Sequence, residues 1–407
     1  MKFRPTGRFA LVLATALAPT AAMAAPPEAA AGAAPDATDG ESETQSEGVS
    51  DESDERDERV EAARKRRREV ADTMGAGLRN GFRIGGSAAS MRVGALVQGR
   101  ALAEFDEVDG ASGRFALPIA RLYADARFFD DHLALFLQPE LAGGPRLLDA
   151  EVRATYDENF GVRAGFYRPF FLRSYRVGIP MLSLPGRGLV VERFTTGRRI
   201  GAQIEGTPFG GKFEYRLGAF NGAGGAMGSN VPADALLVGR VAWHPLGMLD
   251  YTQTPVASGI DDIKMTLGVN VAHERTPLAA DVDAPTEKSL YPARTTLAVD
   301  ATVMAPKLWL GATGIRRWEE TGLGPRPAMG GYLQGGAHLG DSIFDVTVRT
   351  GGVDEQGVVV SNHEAGVNAY VVGDHLRLTA AYLCERTKGQ GAGCRTHTFN
   401  LQAQLWF

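Results

Sequence analysis

The chain has 407 residues, with 43 lysines and arginines against 48 aspartates and glutamates, so its formal net charge is -5. All of that charge lies before residue 73, because residues 73–407 carry 33 basic and 33 acidic side chains. After the N-terminal segment no stretch reaches the run of about 18 apolar residues that a membrane-spanning helix needs, which excludes a protein built from such helices.

Residues 1–24 have the pattern of a signal peptide. Basic residues among the first eight precede an apolar run from Phe9 to Ala18, and Ala22-Met23-Ala24 follows. Small residues at the first and third of these last positions predict cleavage before Ala25. A membrane anchor is the alternative, but ten apolar residues are too few to cross a bilayer. We therefore expect an exported protein.

Two segments of biased composition come next. Residues 25–58 are rich in Ala, Pro, Ser, Asp and Glu, and we expect a disordered acidic linker. Residues 59–80 contain a basic cluster at 64–68 and are expected to form a short charged helix or linker. A basic run can indicate nucleic acid, but an exported chain would meet little of it. A solvated helix, or one that contacts anionic envelope polymers or lipid headgroups, is the better interpretation.

From residue 81 onward, apolar and polar residues alternate with period two. In the segment around residue 267, Met265, Leu267 and Val269 alternate with polar or small residues, which is the pattern of a strand with one apolar face. Sixteen such segments follow one another. They are 90–106, 114–128, 131–141, 147–157, 160–168, 197–207, 211–221, 233–244, 262–275, 290–303, 306–319, 327–339, 342–352, 360–372, 375–386 and 394–407.

The connections between these segments also alternate in length. Most that follow an even-numbered strand are tight turns, whereas several that follow an odd-numbered strand are long, notably 169–196, 222–232, 276–289 and 387–393. Short turns at one end and longer loops at the other are typical of outer-membrane barrels. Residues 142–146 and 245–261 break the pattern. The sequence thus predicts an all-β fold, a transmembrane antiparallel β-barrel of about sixteen strands over residues 81–407.

The last strand and the two cysteines add two expectations. Phe399, Leu401 and Leu405 alternate with polar residues up to Phe407, and we expect this terminal aromatic residue to serve as the signal read by the barrel assembly machinery. Cys384 and Cys394 flank a Gly-rich stretch. In an oxidising compartment they are candidates for a disulfide, with two free thiols as the alternative.

Three motifs resemble the phosphate-selective porin O and P family. The stretch Asn159-Phe160-Gly161-Val162-Arg163-Ala164-Gly165-Phe166-Tyr167-Arg168-Pro169-Phe170 is similar to that family's R-x-G-x-F-K-x-P-F pattern. Residues 192–201 contain its E-R and G-R-R-x-G elements, and residues 120–131 resemble its early R-A-R-L hairpin. The resemblance covers residues 81–221. Arg168 stands where the family usually has Lys, and Arg173 lies close to a position where Glu is typical.

The resemblance implies a homotrimeric outer-membrane porin whose third outer loop, here 169–196, narrows the pore. Passive diffusion of small hydrophilic solutes, particularly anions such as phosphate, is the implied function, with arginines providing selection. The candidates in or beside the loop are Arg173, Arg176, Arg187 and Arg193. Strand alternation adds lumen-facing candidates, which are Arg121, Arg127, Arg153, Arg163 and Arg216.

Other interpretations stay open. Asp125, Asp149, Glu151 and Glu214 share the predicted lumen, so the arginines could form salt bridges that only set pore size and field. A structural or adhesion barrel that tethers the outer membrane to envelope polymers, without an open channel, is the alternative function. A barrel enzyme using His363 is a third, but no Gly-x-Ser-x-Gly motif accompanies it. The seven histidines lack zinc-site spacing. We expect no catalysis, metal or cofactor.

Overall fold

The computed structural model describes residues 74–77, 81–86, 89–222, 235–275, 293–321, 324–388 and 396–407. The expected signal peptide, the acidic linker and nearly all of residues 59–80 lie outside this part of the chain. Within 59–80, Met74–Gly77 forms a strand. The helix expected for the remainder of that segment stays a prediction.

The described chain is almost entirely β-structure. Its strands are β1 Met74–Gly77, β2 Gly81–Gly85, β3 Ala89–Asp106, β4 Gly110–Phe128, β5 Leu133–Glu140, β6 Arg146–Thr155, β7 Gly161–Tyr167, β8 Arg199–Gly206, β9 Phe213–Asn221, β10 Ala235–Trp243, β11 Lys264–Arg275, β12 Ala293–Ala305, β13 Leu308–Thr321, β14 Gly324–Pro325, β15 Ala328–His338, β16 Phe344–Glu355, β17 Val358–Asp374, β18 Leu376–Thr387 and β19 Thr396–Trp406. Short helices α1 Arg173–Arg176 and α2 Leu189–Phe194 flank a 3₁₀ turn at Ile179–Met181. No described helix has the length and apolarity needed to cross a membrane.

Sixteen of the described strands, β3–β13 and β15–β19, close into an antiparallel barrel. Each pairs with the next, and β13 pairs with β15 past the two-residue β14. The ring closes where β19 pairs with β3, from Leu96 opposite Trp406 to Asp106 opposite Thr396. All sixteen predicted segments correspond to these strands, with ends that differ by at most four residues. The predicted fold class is confirmed.

Alternation along the strands divides the barrel into two faces. On β19, Phe399 and Leu401 point outward and are 51% and 63% exposed, whereas Gln402 and Gln404 point inward and are buried. On β11, Val269 faces outward, and Thr266 and Asn270 are fully buried inside. An apolar exterior around a polar interior is the arrangement of barrels that cross a bilayer. The period-two pattern of the sequence therefore gives the correct face for these residues.

The two ends of the barrel differ in their connections. One end, here called the turn end, carries short turns such as 129–132 and 306–307. The other, the loop end, carries the connection between β7 and β8, which folds inward. The connection between β10 and β11, residues 244–263, starts at the turn end and also enters the lumen. We call it the inner segment.

The end of the chain is built into the closure. Phe407 exchanges two backbone hydrogen bonds of 3.0 Å with Ala95 of β3, and Tyr123 donates its hydroxyl to the Phe407 carbonyl. Gly94 makes room for this contact, because a Cβ at that position would lie 2.0 Å from the Phe407 oxygen. Beyond Phe407, β2 continues along the same edge of β3, from Phe82 opposite Val93 to Gly85 opposite Ser90.

Candidate functional site: the constriction loop and its arginines

The connection between β7 and β8, residues 168–198, lies inside the barrel, and we call it the constriction loop. Its apolar side chains explain the inward path, since they pack on an apolar patch of the inner wall and leave water. Phe171 and Phe194 are almost completely buried there. The cluster joins the loop residues Phe171, Leu172, Tyr175, Val190, Val191 and Phe194 to the wall residues Tyr167, Phe220, Leu236, Val238, Ala272, Ala298, Ile315, Ala328 and Val353.

Polar contacts fix the middle of the constriction loop to the opposite wall. Asn368 of β17 donates to the Ser183 carbonyl at 2.9 Å, and Arg349 of β16 donates to the Gly186 carbonyl at 3.1 Å. Gln404 of β19 reaches the Pro180 carbonyl at 3.2 Å. Arg100 of β3 donates to the Pro185 carbonyl. The loop therefore crosses the lumen from one wall to the other.

Two of the predicted pore arginines hold this loop in place. Arg187 donates to the carbonyls of Ser174 at 2.6 Å and Val177 at 2.7 Å, and its side chain is buried. Arg173 donates to the carbonyls of Leu249 and Asp250 in the inner segment and is also buried. Hydrogen bonds from a charged donor satisfy backbone oxygens that would otherwise be buried without a partner. These two arginines support the loop from within, and neither lines the cavity of about 270 Å³ between the loop and the wall of β3–β6.

Arg176 lies at the open side of the constriction loop. It is half-buried and faces a cavity of about 270 Å³ between the loop and the wall of β3–β6. It also borders a cavity of about 920 Å³ toward the turn end. The smaller cavity is lined by Arg92, Leu96, Arg121, Tyr123, Phe136, Gln138, Asp149, Glu151, Arg168, Arg176, Gly178, Ile179, Pro180, Arg198 and Trp406.

Positive charge predominates around the smaller cavity. Two of its five arginines are neutralised, since Arg121 pairs with Glu140 at 2.7 Å and Arg198 with Asp149 at 3.0 Å. The other three have no carboxylate within 4.0 Å among the described residues. Arg176 donates to the Arg168 carbonyl, and Arg168 donates to the Tyr175 carbonyl. Arg92 lies over the ring of Tyr123.

Burial lowers the pKa of the Arg176 guanidinium to about 9. The group still carries its positive charge at neutral pH. It also stacks on Phe170, with the guanidinium carbon 4.0 Å from the ring centre. Arg176 is thereby held beside the cavity by contacts that leave its charge uncompensated.

Three other predicted arginines belong to a neutral network on the wall of β6–β9. Arg163 lies 3.3 Å from Glu151 and 3.2 Å from Glu205, and Arg153 lies 3.4 Å from Glu205. Arg216 pairs with Glu205 and, at 3.3 Å, with Glu214. These three arginines and three carboxylates balance one another. At these positions the interpretation as structural salt bridges describes the contacts.

The remaining predicted arginines lie away from the cavity's open side. Arg127 is at the rim of the turn end, 3.4 Å from both Asp125 and Asp131. Arg193 is exposed, 3.5 Å from Glu355, and borders a separate cavity of about 400 Å³. The predicted selection residues do not include Arg92, Arg168 and Arg198, which also line the smaller cavity. Arg92 could have been found, because it has the same strand parity as the inward-facing Gln98.

The other candidate groups are placed as follows. Cys384 is disulfide-bonded, while Cys394 lies outside the described residues, so the pairing itself stays a prediction. His363 of β17 bonds the hydroxyl of Thr350 at 2.8 Å through its Nδ1 atom. In the described part of the chain no group of three His, Cys, Asp or Glu side chains could hold a metal ion.

Neither a protein-family model nor a curated protein matches the sequence. Solved structures match the fold. The outer membrane protein OmpT of Vibrio cholerae, in its trimer form, covers 79% of this chain and 100% of its own, with 13% identity and a TM-score of 0.54. An anion-selective porin from Comamonas acidovorans covers 78% and 100%, with 13% identity and a TM-score of 0.55. The outer membrane channel DcaP of Acinetobacter baumannii covers 79% and 99%, with 12% identity and a TM-score of 0.53. At these identities the likeness concerns the fold.

Proposed function

We propose that the protein is an outer-membrane porin that lets small hydrophilic solutes, preferentially anions, diffuse passively across the membrane. The closed sixteen-strand barrel with an inward loop supports this role, as does its likeness in fold to proteins described as porins and channels. The loop end would face the outside, following the barrel rule of short periplasmic turns. The protein would act without catalysis.

The single observation that carries the proposal is the charge beside the constriction loop. A cavity of about 270 Å³ is bordered by five arginines and two carboxylates, and three of the arginines have no carboxylate partner among the described residues. Rings of like charge at a narrow point decide which ions a pore prefers. A guanidinium also offers several donors that can replace the water around a phosphate-like anion.

The finer parts of the proposal come from the sequence. The motifs that resemble the phosphate-selective porin O and P family suggest phosphate as one solute and a homotrimer as the assembly. The expected signal peptide and Phe407 suggest export and insertion by the barrel assembly machinery. The neighbour OmpT, which is described in a trimer form, is compatible with three copies.

The test is ion selectivity in planar bilayers. Under a salt gradient, the reversal potential of the wild type should favour anions. Arg176→Ala should reduce this preference by about threefold or more in the anion-to-cation permeability ratio, because an uncompensated charge at the narrow point is lost. Arg127→Ala is the matched control, since that arginine is exposed at the rim and already paired. A cation-selective wild type would refute the anion preference.

A structural tether remains the second candidate, and one observation favours it. The constriction loop packs on the inner wall, and Arg173 joins it to the inner segment inside the lumen. If purified, folded protein produced no channel steps in bilayers, the porin proposal would fail. Binding of the protein to envelope polymers would then be the property to measure.

A further inference from the structure

The inner segment is anchored within the lumen. Its tip residues Thr252, Gln253 and Thr254 are 3%, 6% and 1% exposed. Leu249 is fully buried and packs against Met304 and Trp309 on the wall of β12 and β13. Short turns are the rule at this end of a barrel. The inner segment departs from that rule, because its twenty residues return into the interior.

The tip of the inner segment meets the constriction loop. The Gln253 backbone N–H donates to the Met181 carbonyl at 3.1 Å. Its side-chain oxygen accepts hydrogen bonds of 3.3 Å from both the backbone N–H and the hydroxyl of Ser183. From the loop side, Arg173 donates to the Leu249 carbonyl at 3.2 Å. The two elements, which enter from opposite ends, are therefore joined inside the lumen.

The same tip is fixed to the wall. The Thr254 hydroxyl donates to Asp374 of β17 at 2.7 Å, and Gln334 of β15 donates to the Gln253 side chain at 3.3 Å. The cavity left between loop, tip and wall measures about 20 Å³ and is bordered by Arg173, Gln253 and Gln334, among others. A space of that size holds about one water molecule. A cavity of that volume is too small for a hydrated ion.

We propose that the inner segment is a second barrier that closes the β12–β17 side of the lumen, so that solutes must pass along β3–β6 beside Arg176. This inference rests on the proposed channel function. At the level of the tip and the loop, the closed side would offer no charge selection, because Arg349 of β16 and, at its borders, Arg240 of β10 and Arg377 of β18 each pair with a carboxylate. By closing this second path, the inner segment would make solutes pass the arginines that select for anions.

The experiment removes the barrier and keeps the arginines. Residues 252–258 are replaced by a Gly-Ser-Gly linker, and a milder variant carries Gln253→Ala with Thr254→Ala. For the linker variant we expect single-channel conductance to rise about twofold or more, since a second path opens in parallel. The anion preference should fall toward none. Val256→Ala, at a partly exposed position of the same segment, should leave both values unchanged.

The outcomes separate the two proposals. Heat-dependent electrophoretic mobility shows that both variants are folded. If the wild type conducts and both variants keep its conductance and ion preference, the barrier is refuted and the porin proposal stands. If the wild type does not conduct but the linker variant does, the inner segment does close the lumen, but the path beside Arg176 is refuted and the porin proposal fails. A rise in conductance with unchanged anion preference would refute the claim that the closed side lacks selection.

Discussion

At the scale of single residues, the arginines of the constriction loop fall into two groups that the sequence could not separate. Arg173 and Arg187 bond backbone carbonyls and are buried, while Arg176 and Arg168 border the cavity. All four lie in irregular backbone or in a single helical turn, where no period tells which way a side chain points. The division depends on contacts between parts of the chain that are distant in sequence.

Arg187→Ala should destabilise the folded barrel without changing its ion preference. The substitution removes two hydrogen bonds from a charged donor, each worth about 1.5–3 kcal/mol when buried. The temperature at which the folded electrophoretic band is lost should drop, while the reversal potential stays at the wild-type value. Arg127→Ala, at the rim, should change neither quantity. A loss of anion preference equal to that of Arg176→Ala would contradict the role given to Arg187.

At the scale of elements, the strands could be predicted and the two inward segments could not. A strand reveals itself locally, because its inner and outer faces differ every second residue. In the sequence, the inner segment is only an exception to the turn rule, since its path depends on Leu249 meeting Met304 and Trp309. The family resemblance predicts the constriction loop, and its apolar contacts with the wall give the physical reason.

Helix α2 lies close to β15, and a glycine there allows it. A Cβ at Gly330 would lie 2.7 Å from the ring of Phe194 and 3.2 Å from the Gly352 carbonyl. Gly330→Ala should therefore push α2 from the wall and alter single-channel conductance and current noise. Gly314→Ala is the control, because a Cβ there meets only Val299 at 3.7 Å. Identical single-channel records for the two variants would show that α2 is not held against the wall as described.

At the scale of the whole molecule, the barrel depends on a seam between its first and last long strands. Side chains reinforce the backbone ladder there. Gln98 donates to Gln404 at 2.8 Å, Arg100 donates to Gln402 at 2.7 Å, and Tyr123 bonds the Phe407 carbonyl. The polar residues of the seam face inward, so the barrel is joined by hydrogen bonds inside and by apolar side chains outside.

Removing one partner of this seam should weaken the closed barrel. In Gln98→Ala, the buried side-chain oxygen of Gln404 loses its 2.8 Å donor and keeps only the hydrogen bond of 3.4 Å from Arg377, which costs about 0.5–1.5 kcal/mol. We expect the folded band in SDS electrophoresis to disappear at a lower temperature than for the wild type. Asp109→Ala, exposed at the tip of the β3–β4 hairpin, should leave that temperature unchanged. An unaltered transition for Gln98→Ala would mean that the seam does not limit stability.

The seam also bears on the order of events during folding. Gln98 and Gln404 are 306 positions apart along the chain, whereas the other neighbouring strands are joined by much shorter connections. Contacts between distant positions form slowly, because the entropy of bringing the two ends together is lost before any bond repays it. Every hairpin can therefore form ahead of the ring. Until the ring closes, β3 and β19 present edges with unpaired backbone N–H and C=O groups. A partner that covers these edges before insertion would prevent them from pairing with other copies of the chain.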